Sequence, residues 1–153
     1  MQKLFINGKK ELSGNISISG SKNATLPILA ATIFSHQAKL TNIPLVKDTF
    51  TMIELLKFIG LRISILKNKN TIEIKNIDKN ISTLAPYKLV KTMRAGVLVL
   101  GPLLAKSKKA KISLPGGCAI GTRPVNLHLF ALKKLGAKIK IKNGYIFAEA
   151  KNG

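Results

Sequence analysis

The sequence predicts an α/β fold built from two copies of one unit, in which a helix, a strand and a second helix precede a β-hairpin. The same order of elements appears in both halves of the chain. Equivalent positions also keep a nearly constant spacing, since the offset from Pro44 to Pro115 is close to the offset from Gly60 to Gly136. Repeat folds usually need about three units to bury their sheet faces. We therefore expect an incomplete domain that is part of a longer chain or needs a partner chain.

The first copy begins with an apolar stretch at residues 26–34, which predicts a buried helix, and continues with a strand at residues 39–43. Asp48 is the predicted N-cap of the next helix, and Gly60 is its predicted C-terminal cap. One face of that helix is apolar at the spacing i, i+3, i+4 and i+7, with Met52, Leu55, Leu56 and Ile59. A hairpin follows, with strands at residues 61–66 and 71–74.

The second copy repeats these elements, with a helix at residues 95–104 and a strand at residues 111–114. Its second helix ends at Gly136 and has a predicted buried face formed by Leu127, Phe130, Ala131 and Leu135. The Asn143-Gly144 pair predicts a type I′ turn between strands at residues 138–141 and 145–148. The glycine offset exceeds the proline offset by five, so the second copy has five extra residues, which lie within residues 116–123. Insertions in one copy of a repeat are often functional loops.

Two further short strands are predicted before the first copy, at residues 4–6 and 15–19. The segment MQKLFINGKK has no apolar signal region. The longest apolar run, residues 95–105, is shorter than the roughly 20 residues that a membrane span needs. The single Cys118 has no partner for an internal disulfide. We expect a cytoplasmic protein with no membrane partner, no cofactor and no metal.

Lysine dominates the charge of the chain. The formal net charge is +20, and only three of the 26 cationic residues are Arg, at positions 62, 94 and 123. Nucleic-acid surfaces usually combine Arg with stacking aromatic side chains, whereas here Lys is spread along the chain and aromatic residues make up 5%. The composition favours a solvated surface over a specific nucleic-acid partner, and leaves non-specific polyanion binding as an alternative function.

Three motifs contain candidate binding or catalytic residues. The Ser-Gly-Ser-Lys-Asn segment places the cation of Lys22 and the amide of Asn23 next to a glycine, which suits a small anionic ligand. The Lys-Thr-Met-Arg segment ends at Arg94 and opens the second apolar helix, where an anion is favoured. The third motif, residues 114–128, is a glycine-rich loop with Cys118 at its tip and Arg123 five residues further on. A nearby cation favours the reactive thiolate form of a cysteine.

Taken together, SGSKNA, APYKLVKTMRA and LPGGCAIGTRPVNLH resemble the motifs of the UDP-N-acetylglucosamine enolpyruvyl transferase (1-carboxyvinyltransferase) family. The resemblance covers all 153 residues and implies the enolpyruvyl transferase fold, an inside-out α/β barrel of βαβαββ units. It assigns residues 1–20 to strands of a second domain, and residues 21–153 to two repeat units of the first domain. The implied reaction transfers the enolpyruvyl group of phosphoenolpyruvate to the 3′-hydroxyl of UDP-N-acetylglucosamine, the first committed step of peptidoglycan synthesis.

The resemblance also implies roles for individual residues. Lys22 and Asn23 match the phosphoenolpyruvate contacts of the family, and Arg94 matches a nucleotide-sugar contact. Cys118 matches the loop cysteine that donates a proton, bonds to phosphoenolpyruvate and is alkylated by fosfomycin. The segment of the family that binds the uridine diphosphate sugar is matched by Arg123, Pro124, Val125, Asn126 and Leu127.

Two departures from the family matter. Asn126 stands where the family usually has Asp, so a charge is lost in the uridine-contacting segment. The acid/base Asp and several phosphate-binding arginines of the family belong to its second domain, which a second chain would have to supply if it is not part of the same polypeptide. The alternative is a non-catalytic remnant that binds the UDP-sugar or polyanions.

Overall fold

The computed structural model describes residues 3–9, 11–76, 80–115 and 125–150. Its helices are α1 (Lys22–Ala31), α2 (Lys47–Ile59), α3 (Tyr87–Val90), α4 (Leu100–Ser107) and α5 (Asn126–Lys134). Its strands are β1 (Gln37–Leu40), β2 (Arg62–Leu66), β3 (Thr71–Lys75), β4 (Leu84–Ala85), β5 (Lys109–Ser113), β6 (Lys138–Lys142) and β7 (Tyr145–Glu149). Short 3₁₀ helices span Thr32–Phe34, Lys67–Lys69 and Arg94–Val99.

The strands form two sheets with the same topology. The first sheet has the order β1-β3-β2, and both of its pairings are antiparallel. The second has the order β4-β5-β7-β6, in which β5, β7 and β6 repeat the first arrangement and β4 adds a parallel pair next to β5. Both hairpins therefore return a strand to the centre of their own sheet. The two halves thus repeat one topology, as the sequence spacing predicts.

α1, α2, α4 and the 3₁₀ helix Arg94–Val99 form the interior with the sheets outside them, whereas α5 lies at the surface. α1 packs against α2 and against the 3₁₀ helix Arg94–Val99, which in turn contacts α4. Only three of the twelve largest fully buried side chains come from strands, namely Ile72, Ile74 and Ile112. The other nine belong to helical segments, because a helix in the centre of a domain must be apolar over a wide arc. This arrangement confirms the predicted α/β fold.

α2 shows the predicted apolar face, since Met52, Leu55, Leu56 and Ile59 are fully buried. Gly60 closes the helix with a φ of +123°, which favours glycine. The predicted cap at Asp48 is wrong. The helix begins at Lys47, so its N-cap is Val46, two residues before Asp48, and Val46 makes no side-chain hydrogen bond. Asp48 therefore lies inside the first turn, and its carboxylate is available for another partner.

The helix expected at residues 95–104 is divided into the 3₁₀ helix Arg94–Val99 and α4. Pro102 fits this break, because its nitrogen has no hydrogen to donate to the preceding turn and a proline is tolerated best near the start of an α-helix. The predicted hairpins form, and the Asn143-Gly144 turn has the positive φ angles, +50° and +74°, that a type I′ turn requires.

The buried face predicted for α5 is wrong. Leu127, Phe130 and Leu135 are 74%, 59% and 81% exposed, and Ala131 is also exposed, whereas Leu129 is the buried residue of this helix. α5 contacts its own hairpin at β6. The part of the chain that the structure describes contains no element that covers the opposite face of α5.

The strands predicted at residues 4–6 and 15–19 do not form. Their apolar side chains are strongly exposed: Leu4, Phe5, Ile6, Ile16 and Ile18 are 80–90% accessible. A strand needs a neighbour for its backbone donors and acceptors, and none of the described residues provides one here. The assignment of residues 1–20 to another domain stays a prediction.

Candidate functional site

The site begins at a tight crossing where residues 18–20 meet the end of β1. Asn42 has a left-handed φ of +54°, and its side chain accepts from the Gly20 amide at 3.1 Å and donates to the Ile18 carbonyl at 3.3 Å. A Cβ at position 20 would overlap the carbonyl oxygen of Asn42. The glycine of the first motif therefore allows two backbone segments to cross, and it fixes where the following helix starts.

α1 starts immediately after this crossing and places Lys22 and Asn23 in its first turn. Ser21 is the N-cap and accepts from the Ala24 amide at 3.4 Å. Thr25 holds the same turn through its hydroxyl, which donates to the Ser21 carbonyl at 2.9 Å. These two hydrogen bonds fix the backbone of the first turn, from which the side chains of Lys22 and Asn23 extend.

Lys22, Asn23 and Arg94 line one cavity of about 270 Å³. The first two come from the first repeat, and Arg94 comes from the start of the 3₁₀ helix in the second. The apolar part of the wall consists of Leu26, Met93, Ala95, Val97 and Leu98. The two cations suit an anion, because ammonium and guanidinium groups donate charge-assisted hydrogen bonds to carboxylate and phosphate oxygens.

Asp48 and His128 also line this cavity, and the sequence motifs did not point to either as a site residue. The Lys22 ammonium and the Asp48 carboxylate form an ion pair with an Nζ–Oδ2 distance of 2.9 Å. The pair joins the first turn of α1 to the first turn of α2. His128 reaches the same wall from α5, although the sequence motif suggested no role for it.

Several residues of the cavity wall occupy equivalent positions in the two repeats. The offset that relates Pro44 to Pro115 also relates three pairs of residues that line the cavity: Lys22 with Met93, Asn23 with Arg94, and Leu26 with Val97. The longer offset from Gly60 to Gly136 aligns Asp48 in sequence with Pro124, which belongs to the Cys loop motif. The repeat alignment was thus a sequence signal that could have found Asp48.

The remaining predicted site residues belong to the third motif, and the structure describes only some of them. Cys118, Arg123 and Pro124 lie outside the described residues. Val125, Asn126 and Leu127 lie at the start of α5, and none of them is among the described residues that line the cavity. Their predicted contact with a nucleotide sugar stays a prediction.

The outward face of the second sheet is a separate, strongly basic surface. The strand register places Lys111 and Lys140 on either side of Phe147, and Lys142 beside Tyr145. The Lys111 ammonium lies 4.9 Å from the centre of the Tyr145 ring and 5.2 Å from that of Phe147. This face combines cations with aromatic rings, which the sequence as a whole does not suggest.

Within the described ranges no helix is long and apolar enough to cross a membrane. The same part of the chain contains no group of three or more His, Cys, Asp or Glu residues that could hold a metal ion.

The fold class follows from the solved structures that the chain matches. It superposes on the enolpyruvyl transferase NikO from Streptomyces tendae with a TM-score of 0.74 and 19% identity, over 95% of this chain and 32% of that one. The arrangement of central helices with repeated hairpins outside them is therefore that of an enolpyruvyl transferase fold.

The chain belongs to the EPSP synthase (3-phosphoshikimate 1-carboxyvinyltransferase) family, whose model matches residues 6–153. It is 61% identical over 155 aligned residues to the UDP-N-acetylglucosamine 1-carboxyvinyltransferase of Pelagibacter ubique (strain HTCC1062). It is 52% identical over 149 aligned residues to the enzyme of the same name from Rickettsia bellii (strain OSU 85-389). These alignments cover 100% and 97% of this chain, and 36% of each relative. The chain therefore spans about a third of the length of the curated relatives it matches.

Proposed function

We propose that this chain contributes one side of the active site of a UDP-N-acetylglucosamine 1-carboxyvinyltransferase. The observation that supports this most directly is the meeting of Lys22, Asn23 and Arg94, from two repeats and two separate motifs, on one cavity. The identity of 61% to a relative of that name supports the choice of substrates. In this proposal Lys22 and Asn23 bind phosphoenolpyruvate, and Arg94 contacts the nucleotide sugar.

The chemistry of the proposed reaction needs cations on this wall. Phosphoenolpyruvate bears a phosphate and a carboxylate, and the sugar nucleotide bears a diphosphate, so both substrates bring negative charge close together. The ammonium of Lys22 acts as a compact point charge, whereas the planar guanidinium of Arg94 suits two parallel hydrogen bonds to phosphate oxygens. Cys118 is the proposed proton donor, and Arg123 to Leu127 are proposed to bind the uridine diphosphate.

Because the chain covers 36% of its relatives, we propose that turnover also needs the groups that the rest of the enzyme supplies. Reconstitution tests this. The chain is mixed with the remaining two thirds of the Pelagibacter relative, and release of phosphate from phosphoenolpyruvate is followed with UDP-N-acetylglucosamine present. We expect turnover in the mixture that a Cys118→Ser variant loses. Folded partners that form a complex yet release no phosphate would refute the catalytic proposal.

Ligand binding by the chain alone provides a second test. Isothermal titration with UDP-N-acetylglucosamine and with phosphoenolpyruvate is compared for the wild type, Arg94→Ala and Lys22→Ala. Loss of one charge-assisted hydrogen bond costs about 1.5–3 kcal/mol, which is roughly a 10- to 150-fold weaker Kd. Lys57→Ala is the matched control, since Lys57 pairs with Glu54 on the exposed side of α2 and should leave both affinities unchanged.

The basic outward face of the second sheet supports polyanion binding as a second candidate function. Such binding should weaken with salt, with log K falling by about 0.7 per log unit of salt for each phosphate of a single strand that is neutralised. A Lys111→Ala, Lys140→Ala double variant should reduce that slope for an oligonucleotide, whereas Lys22→Ala should not. UDP-N-acetylglucosamine binding that survives moderate salt while oligonucleotide binding disappears would favour the first proposal.

A further inference from the structure

The ion pair between Lys22 and Asp48 differs in its place from the other ion pairs of the described residues. Lys39–Glu73, with an N–O distance of 3.7 Å, lies on the outer face of the first sheet, and Lys57–Glu54 lies on the exposed side of α2 at 3.0 Å. Lys22–Asp48 is the one that lines the cavity. Its side chains are 48% and 34% exposed, so the pair contributes little to the stability of the fold. Its position points to a role in the site instead.

A lysine side chain needs a partner to be held in one place. Its flexible four-carbon stem allows many rotamers, and its ammonium has three donors. Asp48 occupies one of these donors at 2.9 Å, which leaves two for a ligand. The carboxylate itself lies in the first turn of α2, where negative charge is favoured. Since α1 and α2 pack together through their buried faces, the pair links two fixed elements.

We propose that Asp48 is a positioning residue that holds the Lys22 ammonium in the cavity, ready to contact the anionic substrate with its two remaining donors. This inference rests on the proposed function, and it names a residue that acts through Lys22 and not on the substrate. The inference can be tested because it predicts the opposite change in anion affinity from the one that charge alone would give. If Asp48 acted only through its charge, its removal would strengthen the binding of an anion, because a nearby negative charge would be lost. A positioning role predicts weaker binding.

The experiment compares phosphoenolpyruvate binding to the wild-type chain, Asp48→Ala and Asp48→Asn by isothermal titration at fixed ionic strength. We expect Asp48→Ala to weaken binding about two- to tenfold, the cost of ordering one long side chain at the moment of binding. Asp48→Asn keeps an oxygen acceptor and should recover most of the loss, which a purely structural defect would not allow. Glu54→Ala, which breaks the exposed pair on the same helix, should bind as the wild type does. Tighter binding by Asp48→Ala would overturn the proposal.

A second measurement needs no ligand. Lysines are acetylated with a limiting amount of reagent, and the extent of modification of each is followed by peptide mass spectrometry. In Asp48→Ala, we expect Lys22 to be acetylated at least twofold faster than in the wild type, while the rate at Lys57 is unchanged. In Glu54→Ala, we expect Lys57 to be acetylated faster, while the rate at Lys22 is unchanged. An unchanged Lys22 rate in Asp48→Ala would overturn the inference even if phosphoenolpyruvate binds. If the wild-type chain and the reconstituted enzyme both fail to bind phosphoenolpyruvate, the proposed function fails, while the labelling result still decides whether Asp48 holds Lys22.

Discussion

Replacement of Gly20 by Ala tests whether the crossing of residues 18–20 over the end of β1 determines where α1 begins. The added Cβ would overlap the backbone carbonyl of Asn42 and lie 3.1 Å from the Cδ of Pro44. Neither neighbour is the free end of a flexible side chain, so the backbone itself must move. Overpacking of this kind typically costs about 1–3 kcal/mol. The two hydrogen bonds of the Asn42 side chain would be displaced as well, each worth about 0.5–1.5 kcal/mol.

We therefore expect Gly20→Ala to lower the free energy of unfolding by about 4 kcal/mol, the sum of the centres of these ranges. For a chain of this size, that corresponds to a fall in Tm of roughly 8–16 °C. The assay is urea unfolding followed by circular dichroism, together with a thermal scan. On the proposed function, the same variant should also weaken phosphoenolpyruvate binding, because Lys22 follows the crossing by only two residues.

Gly101 provides the matched control for this prediction. It lies in α4, and a Cβ there would meet nothing within 4 Å apart from its own helix and chain neighbours. Alanine favours a helix over glycine by up to about 1 kcal/mol, but a residue with a Cβ is disfavoured in the helical region directly before a proline, here Pro102. We therefore expect Gly101→Ala to leave the free energy of unfolding close to that of the wild type, in contrast to Gly20→Ala. A Gly20→Ala variant within about 0.5 kcal/mol of the wild type, the usual range of a neutral surface change, would refute the reasoning about the crossing.

Four further substitutions test the packing and the second hairpin turn. Leu55→Ala should cost about 2–5 kcal/mol in urea unfolding because Leu55 is fully buried, whereas Leu135→Ala, at 81% exposure, should stay within about 0.5 kcal/mol. Phe5→Ser should likewise leave the Tm unchanged, since Phe5 is 89% exposed; a clear fall would show that residues 3–9 pack against something. Gly144→Ala should lower the stability by about 1–2 kcal/mol, the cost of a left-handed conformation for a residue with a Cβ, because Gly144 has a φ of +74°. A fully stable Gly144→Ala variant would contradict the type I′ turn.

Features that depend on neighbours in the sequence could be predicted. The apolar face of α2, its glycine cap and both hairpins follow from spacing and turn chemistry over a few residues, and each of them forms. Asp48 shows where this local reasoning ends. Aspartate suits an N-cap, but its carboxylate instead pairs with Lys22, which belongs to a different helix. No pattern within one helix contains that information.

α5 is a second case in which local sequence patterns are not enough. Its spacing of apolar residues correctly identifies a helix, yet the side chains predicted to be buried are the exposed ones. Periodicity records which positions of a helix are apolar, but burial depends on which element covers them. For residues 4–6 and 15–19 the same argument applies to backbone hydrogen bonds, because a strand is formed by its partner as much as by its own sequence.

The internal repeat is the one sequence signal that spans longer distances, and it relates residues that meet in space. Two copies of a unit that pack against each other bring equivalent positions to their shared boundary, which is why the offset between the two prolines also brings Asn23 and Arg94 to one cavity. The same symmetry does not require equal chemistry, since the equivalent of Lys22 is the apolar Met93. A ligand bound at such a boundary therefore meets two related backbones with different side chains. The repeat thus explains where the cavity lies. The departures from it, Lys22 with its partner Asp48 on one side and Arg94 on the other, give the cavity the two cations on which the proposed anion site rests.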